Sequence, residues 1–283
     1  MTVSILRWTV LTASLLLLNL PLPVQALPND LRVPGGVAVV PLAPISGKME
    51  KLRAWFGEQP VWVTADRGHW IAIVGLDLKL PAGPHELRVN DGKQEHVVRF
   101  NIRTKRYPEQ HITLKDKGKV TLSPTDEARA LVEIDHIRKL KRHWREDDSR
   151  TVIDSNLQLP AQGRISSRFG LQRFFNGEAR APHSGIDIAL PRDTPVKSSA
   201  KGQVLSIGDY FFNGKTIFID HGNGLISMYC HLDRIDVKAN EIVSQGKRIG
   251  LSGMTGRSSG PHLHWSVVLN GAMVDPSLFF GND

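Results

Sequence analysis

The chain predicts a mainly β protein in two parts joined by one helix: an N-terminal immunoglobulin-like β-sandwich and a C-terminal antiparallel β domain. Three observations carry this. Short runs rich in β-branched and aromatic residues recur between residues 37 and 102, separated by turn sequences such as Pro81-Ala82-Gly83-Pro84 and Asn90-Asp91-Gly92. One capped, amphipathic run follows Ser123. A second set of strand-like runs between residues 186 and 269 carries His231, His262 and His264.

The first residues read as an address rather than as structure. Arg7 supplies a positive region, Trp8 to Leu20 an apolar stretch, and Val24-Gln25-Ala26 a small-residue cleavage site, so residues 1–26 are expected to be a signal peptide cut after Ala26. A stretch of thirteen residues is short for a bilayer span, and no later segment is long and apolar enough, so no integral membrane span is expected. Cys230 is the single cysteine, which excludes an internal disulfide and a lipidated cysteine at the cleavage region. With 41% hydrophobic and 23% charged residues the composition is that of a globular protein. The formal charge is +8, and loss of residues 1–26 removes only Arg7, so the exported chain stays basic. Positive charge favours nucleic acid, anionic membranes or acidic polymers; export leaves no nucleic acid to meet and points to an acidic polymer of the cell envelope.

Residues 27–103 form the first β domain, with strands expected at Val37 to Leu42, Val61 to Thr64, Trp70 to Val74, Glu86 to Val89 and His96 to Ile102. Nothing in it looks catalytic. Residues 104–150 are a linker and helix. Lys105-Arg106 and Lys115 to Lys119 lie in the linker, Thr104 to Ser123. Ser123 is placed to cap the helix, Pro124 suits its first position, Asp126 and Glu127 its positive end, and Leu131, Ile134, Ile137, Leu140 and Trp144 an apolar stripe.

Residues 151–283 carry the chemistry. Strands are expected around Ile186 to Ala189, Gly202 to Gly208, Thr216 to Asp220, Gly224 to Tyr229 and Leu263 to Leu269. In a strand from Pro261 to Val268, His262 and His264 project from the same face. His183 and Asp187, in His183-Ser184-Gly185-Ile186-Asp187, complement them as a second imidazole and a carboxylate, leaving a fourth position for water. That is the pattern of a catalytic zinc rather than a structural one. Spacing alone does not decide which member of the His262-Leu263-His264 pair binds metal. Alternation in Ile226 to Leu232 puts Tyr229 and His231 on one face and Cys230 on the other, which makes His231 a candidate acid or base and Cys230 a core filler. His221 falls in a turn sequence, Asp220 to Gly224. His69, His85, His96, His111, His136 and His143 lack ligand spacing to this set.

These motifs, with His221-Gly222-Asn223-Gly224, Tyr229-Cys230-His231-Leu232 and Ser258 to Trp265 among them, resemble the LytM/lysostaphin family of zinc metallopeptidases over roughly Gly163 to Phe280. Ser166 to Gly170 and Phe175-Asn176-Gly177 are similar to its Gram-negative branch. The resemblance implies a β-sheet catalytic domain of duplicated hybrid motif type, with one zinc ion per chain on His183, Asp187 and His264, and His231 and His262 as the two catalytic histidines. It also implies a periplasmic endopeptidase whose partner is peptidoglycan, cutting peptide cross-links at D-alanyl to diaminopimelyl bonds. Cell-wall enzymes or regulators are further candidate partners. The alternative it offers is a noncatalytic or latent regulator that activates cell-wall amidases, which a complete ligand set disfavours. No HExxH pair occurs, so the thermolysin-type arrangement has no support. Since latent members of the family block the zinc with another segment, residues 27–103 are a candidate cover for the groove.

Overall fold

A computed structural model describes residues 27–45, 52–112, 122–146 and 156–280. The expected signal peptide, the Lys115 to Lys119 run and the last three residues lie outside the described residues.

The N-terminal part has six strands, β1 (Val37–Pro44), β2 (Arg53–Phe56), β3 (Gln59–Asp66), β4 (His69–Gly75), β5 (Gly83–Asn90) and β6 (Glu95–Ile102). They pair antiparallel in the order β1-β4-β3-β2-β5-β6. The halves β1-β4-β3 and β2-β5-β6 enclose one core, in which Ala38, Val40, Val61 and Val74 meet Leu87, Val89 and Phe100, as the two sheets of a sandwich do. Arg67 and Gly68, with φ of 45° and 78°, supply the left-handed pair that a two-residue turn needs between β3 and β4. Five strands fall where the sequence places them; β2 is the addition. Four residues long and read as RAWF, it is too short to show a period.

β4 explains how this domain is held. Its run Ile71-Ala72-Ile73-Val74 is buried on both faces. Ala72 and Val74 point into the domain's own core, while Ile71 and Ile73, with Val37 and Trp62, join the core of the C-terminal domain. At the junction Gly75 N–H donates to Asn270 Oδ1 at 2.6 Å, and Asn270 Nδ2 donates back to Gly75 O at 3.2 Å, both out of solvent.

The linker contains a strand that the sequence does not reveal, β7 (Glu109–Ile112). The helix α1 (Pro124–Lys141) follows, with Ser123 Oγ accepting from Asp126 N–H at 3.1 Å. Its inward stripe differs from the expected one by one position at the start: Ala130, Glu133, Ile137 and Leu140 face the protein, while Leu131 is 62% and Ile134 42% exposed. Polar docking sets this rotation. Glu133 accepts from Phe211 N–H at 2.6 Å and Arg129 donates to Asp209 O at 3.1 Å, which turns the first half of the helix away from Leu131.

The C-terminal domain contains β8 (Arg164–Ser167), β9 (Gln172–Phe175), β10 (Glu178–Ala179), β11 (Ile186–Ala189), β12 (Pro195–Lys197), β13 (Gly202–Tyr210) and β14 (Gly214–Gly222). They are followed by β15 (Leu225–Ile235), β16 (Ile242–Val243), β17 (Arg248–Ser252), β18 (His262–Leu269) and β19 (Ala272–Val274). The main sheet runs β16-β13-β14-β15-β18-β11-β8, while β9 pairs with β10 and, in parallel, with β7. Trp265, Leu263 and Val267 on one face of β18 enter the large core. The other face of its N-terminal half carries the polar cluster described next.

Candidate metal centre and cleft

Register places the cluster. Asp187 of β11 lies directly across from His264 of β18, and Ala189 from His262, so Asp187 and His264 leave the same face of neighbouring strands. His183 sits in the loop before β11, fixed by its N–H donating to Leu171 O at 3.0 Å and its carbonyl accepting from Gly170 N–H at 2.8 Å. Gly185 between them allows close packing: a Cβ there would meet Ser266 Oγ, with Trp265 O at 2.5 Å and His264 Cε1 at 2.9 Å.

Three donor atoms converge. His183 Nε2 and His264 Nδ1 lie 2.9 and 2.8 Å from Asp187 Oδ1, and 3.0 Å from each other. Among the described residues, His183, Asp187 and His264 form the grouping that could hold a metal ion. The outer nitrogens show what faces inward. His183 Nδ1–H donates to Arg168 O at 2.9 Å because a carbonyl only accepts, and the ligand form of a ring so anchored turns its Nε2 lone pair toward the Asp187 oxygen. His264 Nε2 meets Ser266 Oγ at 2.8 Å on its far side. Lone pairs directed at a carboxylate within 3 Å repel unless a cation lies between them, so this donor set fits a divalent metal of borderline softness. Burial keeps His264 below the usual histidine value against the pull of Asp187, which favours the neutral ligand form.

His231 and His262 complete the cleft. The sequence places His231 on the face of Tyr229, and the structure corrects this. Between the pairs Ile217↔Tyr229 and Lys215↔Leu232, Cys230 and His231 oppose Thr216 alone, and His231 takes a left-handed φ of 63°. The bulge reverses its direction: Tyr229 is buried in the large core with its hydroxyl on Ser199 N–H at 2.8 Å, while the His231 ring comes within 4.7 Å of the His262 ring and 6.2 Å of the His264 ring. Cys230, across from His264, is fully buried with Phe218, Met228 and Val268 and fills core as expected, though on the metal side of the sheet. Both cleft histidines are anchored through Nδ1–H, His231 on Thr255 O and His262 on Gly260 O, each at 2.8 Å. That leaves each Nε2 as an acceptor. His262 Nε2 is 3.8 Å from Asp187 Oδ1. Burial lowers the His231 pKa to about 4, so this ring is neutral at ordinary pH.

The cleft measures about 480 Å³, and all its lining residues lie between 166 and 264. Among the described residues, none of the β domain lines it. His221, assigned to a turn, instead ends β14 with its ring buried, donating to Lys201 O and facing Ser227 Oγ, each at 2.8 Å. The turn itself is Asn223-Gly224, with φ of 47° and 75°. None of the other six histidines lines the cleft; His111, for example, stacks on Phe174 at 4.5 Å. Gly256-Arg257-Ser258-Ser259-Gly260 has GxSxG spacing but leads into β18 rather than a helix, and so lacks the nucleophile-elbow context. Sequence reasoning missed Arg173, Arg257 and Thr255, residue types that carry no ligand signal by themselves.

Comparison with known proteins agrees with this architecture. The model of peptidase family M23 matches residues 181–276, and that of the peptidase family M23 N-terminal domain matches residues 30–105. A solved M23-family structure from Pseudomonas aeruginosa is 39% identical, covers 90% of this chain and 97% of its own, and superposes with a TM-score of 0.73. The chain belongs to peptidase family M23. Among curated proteins, peptidoglycan DD-endopeptidase ShyA of Vibrio cholerae is 44% identical over 118 residues, 41% of this chain and 27% of that protein. DD-carboxypeptidase/endopeptidase Mpg of Neisseria meningitidis is 37% identical over 134 residues, 46% of this chain and 31% of that protein. The matches thus span less than a third of the length of these curated relatives.

Proposed function

We propose that this chain is an exported zinc metalloendopeptidase that hydrolyses peptide cross-links of bacterial peptidoglycan at D-alanyl to diaminopimelyl bonds. The observation that carries the reading is the convergence of His183 Nε2, Asp187 Oδ1 and His264 Nδ1 beside two further histidines whose Nε2 atoms are left as acceptors. When bound to those three atoms, zinc supplies polarisation of a carbonyl and a lowered pKa for water. His231 and His262, each fixed through Nδ1, take the proton of the attacking water and return one to the leaving amine. Ser167 and Ser266 steady the far sides of the ligand rings, at 3.2 Å from His183 Nδ1 and 2.8 Å from His264 Nε2. The open, polar cleft suits an extended peptide.

The substrate is supported by the names of the ShyA and Mpg relatives and by the basic charge of the chain. Export to the periplasm rests on the pattern in residues 1–26; no described helix is long and apolar enough to cross a membrane. In this reading residues 27–103 are an accessory β domain, 104–150 a linker and helix, and 151–283 the peptidase domain, with cell-wall enzymes or regulators as further partners. The test is mass spectrometry of products from cross-linked sacculi incubated with the zinc-loaded exported chain and with His264→Ala. Cross-linked dimers falling to monomers with the unmodified chain alone is the expected result, with about one zinc per chain lost in the variant. Equal cleavage by the variant overturns the assignment.

A further inference from the structure

Two arginines line the cleft, Arg173 on the His183 side and Arg257 on the His262 side, and neither is paired with a carboxylate among the described residues. Arg173 sits at the His183 end: its Nη2 donates to Ser167 Oγ at 3.1 Å, and that oxygen lies 3.2 Å from His183 Nδ1. Its Nε donates to Gln110 Oε1 at 3.3 Å, and Gln110 belongs to β7, the linker strand paired in parallel with β9. Arg257 sits on the His262 side, next to Ser258, whose Oγ is 3.1 Å from His262 Nδ1. Its guanidinium lies 5.7 Å from the Phe212 ring, and the backbone N–H of Arg257 donates to Phe212 O at 3.0 Å. None of the ion pairs among the described residues involves either arginine. Asp187 is the one carboxylate in the lining, and it belongs to the metal set. Neutral oxygens position the Arg173 guanidinium and the Phe212 ring that of Arg257, and with no described acid paired to either, each keeps donors for a planar anion.

We propose that Arg173 and Arg257 are specificity-determining residues that bind the free carboxylates of an acidic peptide cross-link, one on each side of the scissile bond. This rests on the endopeptidase reading above and deepens it. A diaminopimelyl residue has two amines and two carboxyl groups. When one amine forms the scissile amide, the carboxylate on the same carbon stays free beside the leaving nitrogen. In a cross-link between like stems, the residue before the D-alanine is also diaminopimelyl and offers a second. The clamp selects such a bond over a glycine bridge, which carries no side-chain charge, and gives the linker strand a role, since Gln110 holds one of its two arms.

The test is titration calorimetry with the full exported chain, zinc-loaded and carrying His262→Ala to stop turnover. The probes are a synthetic D-alanyl-diaminopimelyl dimer with free carboxylates and its neutral carboxamide counterpart. Amidation is expected to weaken binding by about tenfold or more. Arg173→Gln and Arg257→Gln are each expected to remove part of that penalty, and the double variant all of it, with zinc content and melting temperature unchanged. A penalty below about threefold, a penalty that survives in the double variant, or no binding of either peptide overturns the proposal. Cleavage of both peptides by the chain without the His262 change separates the two readings. Carboxylate-dependent binding without cleavage removes the endopeptidase assignment and keeps the clamp; equal cleavage of both keeps the assignment and removes the clamp.

Discussion

His221 and His231 sit near the two ends of one hairpin, β14–β15, and begin from the same anchor. Each donates Nδ1–H to a backbone carbonyl at 2.8 Å, His221 to Lys201 and His231 to Thr255, and burial lowers the pKa of each. The other nitrogen separates them. His221 Nε2 is met by Ser227 Oγ at 2.8 Å, in a polar chain that continues to the Tyr229 hydroxyl at 2.9 Å. His231 Nε2 is left for the cleft because a bulge and a left-handed φ of 63° turn the ring out of that core. A satisfied second nitrogen makes a histidine part of the core; an unsatisfied one makes it a reagent. The energetic consequence is an exchange, since left-handed backbone at a residue with a Cβ costs of order 1 kcal/mol or more that the rest of the sheet must offset.

The strongest way to break this contrast is to exchange both rings for asparagine, which tolerates left-handed backbone. His231→Asn is expected to lower kcat on cross-linked peptide by about 10²–10⁴-fold while keeping the zinc and the melting temperature. His221→Asn is expected to leave kcat of the folded enzyme within about twofold, the change being confined to stability. Steady-state kinetics, metal analysis and thermal melts on both variants check the pair. A stability loss at position 231 with full activity retained overturns the division of roles. Next in size is the metal side of the cleft. In Gly185→Ala the new methyl would press on Ser266 Oγ, the partner of His264 Nε2. Zinc affinity, measured by competition with a chromophoric chelator, is expected to fall by about 10–100-fold with the histidines untouched.

The same contrast explains what could be read from the sequence. His183, Asp187, His262 and His264 were legible because strand alternation and a close-packed glycine are local, and register between β11 and β18 then follows from the apolar alternation of Ile186/Ile188 and Leu263/Trp265. The direction of His231 was not, because a bulge adds a residue without leaving a mark in the pattern. β7 was hidden because a parallel partner more than sixty residues away makes it a strand, and Glu109-Gln110-His111-Ile112 has no alternation to announce it. The start of the α1 stripe was misread for a similar reason: Glu133 is an inward residue only because Phe211 N–H awaits it. Non-local partners decided β7 and the helix stripe, and a bulge decided His231.

A smaller effect sharpens the role of His221 without touching the cleft. Removing its two hydrogen bonds is expected to cost about 2 kcal/mol in unfolding free energy, read from urea titrations of the metal-free chain at pH 7.5. Its pH dependence has a definite sign. Burial holds the folded pKa below the unfolded value of about 6.5, against the raising influence of the Lys201 carbonyl and Asp220, with Arg145 adding to the lowering. Between the two values the unfolded chain binds more protons, so stability from neutral His221 is complete above about pH 6.5 and is lost as pH falls toward the folded pKa. The loss cannot exceed about 1.4 kcal/mol per pH unit for one proton. The difference between the unmodified chain and His221→Asn should therefore be flat from pH 8 to 7 and shrink from pH 6.5 downward, the other titrating groups cancelling because both proteins carry them. A difference that grows on acidification would mean that the ring is charged inside the fold, and that Ser227 Oγ accepts from Nε2–H rather than donating to a bare nitrogen.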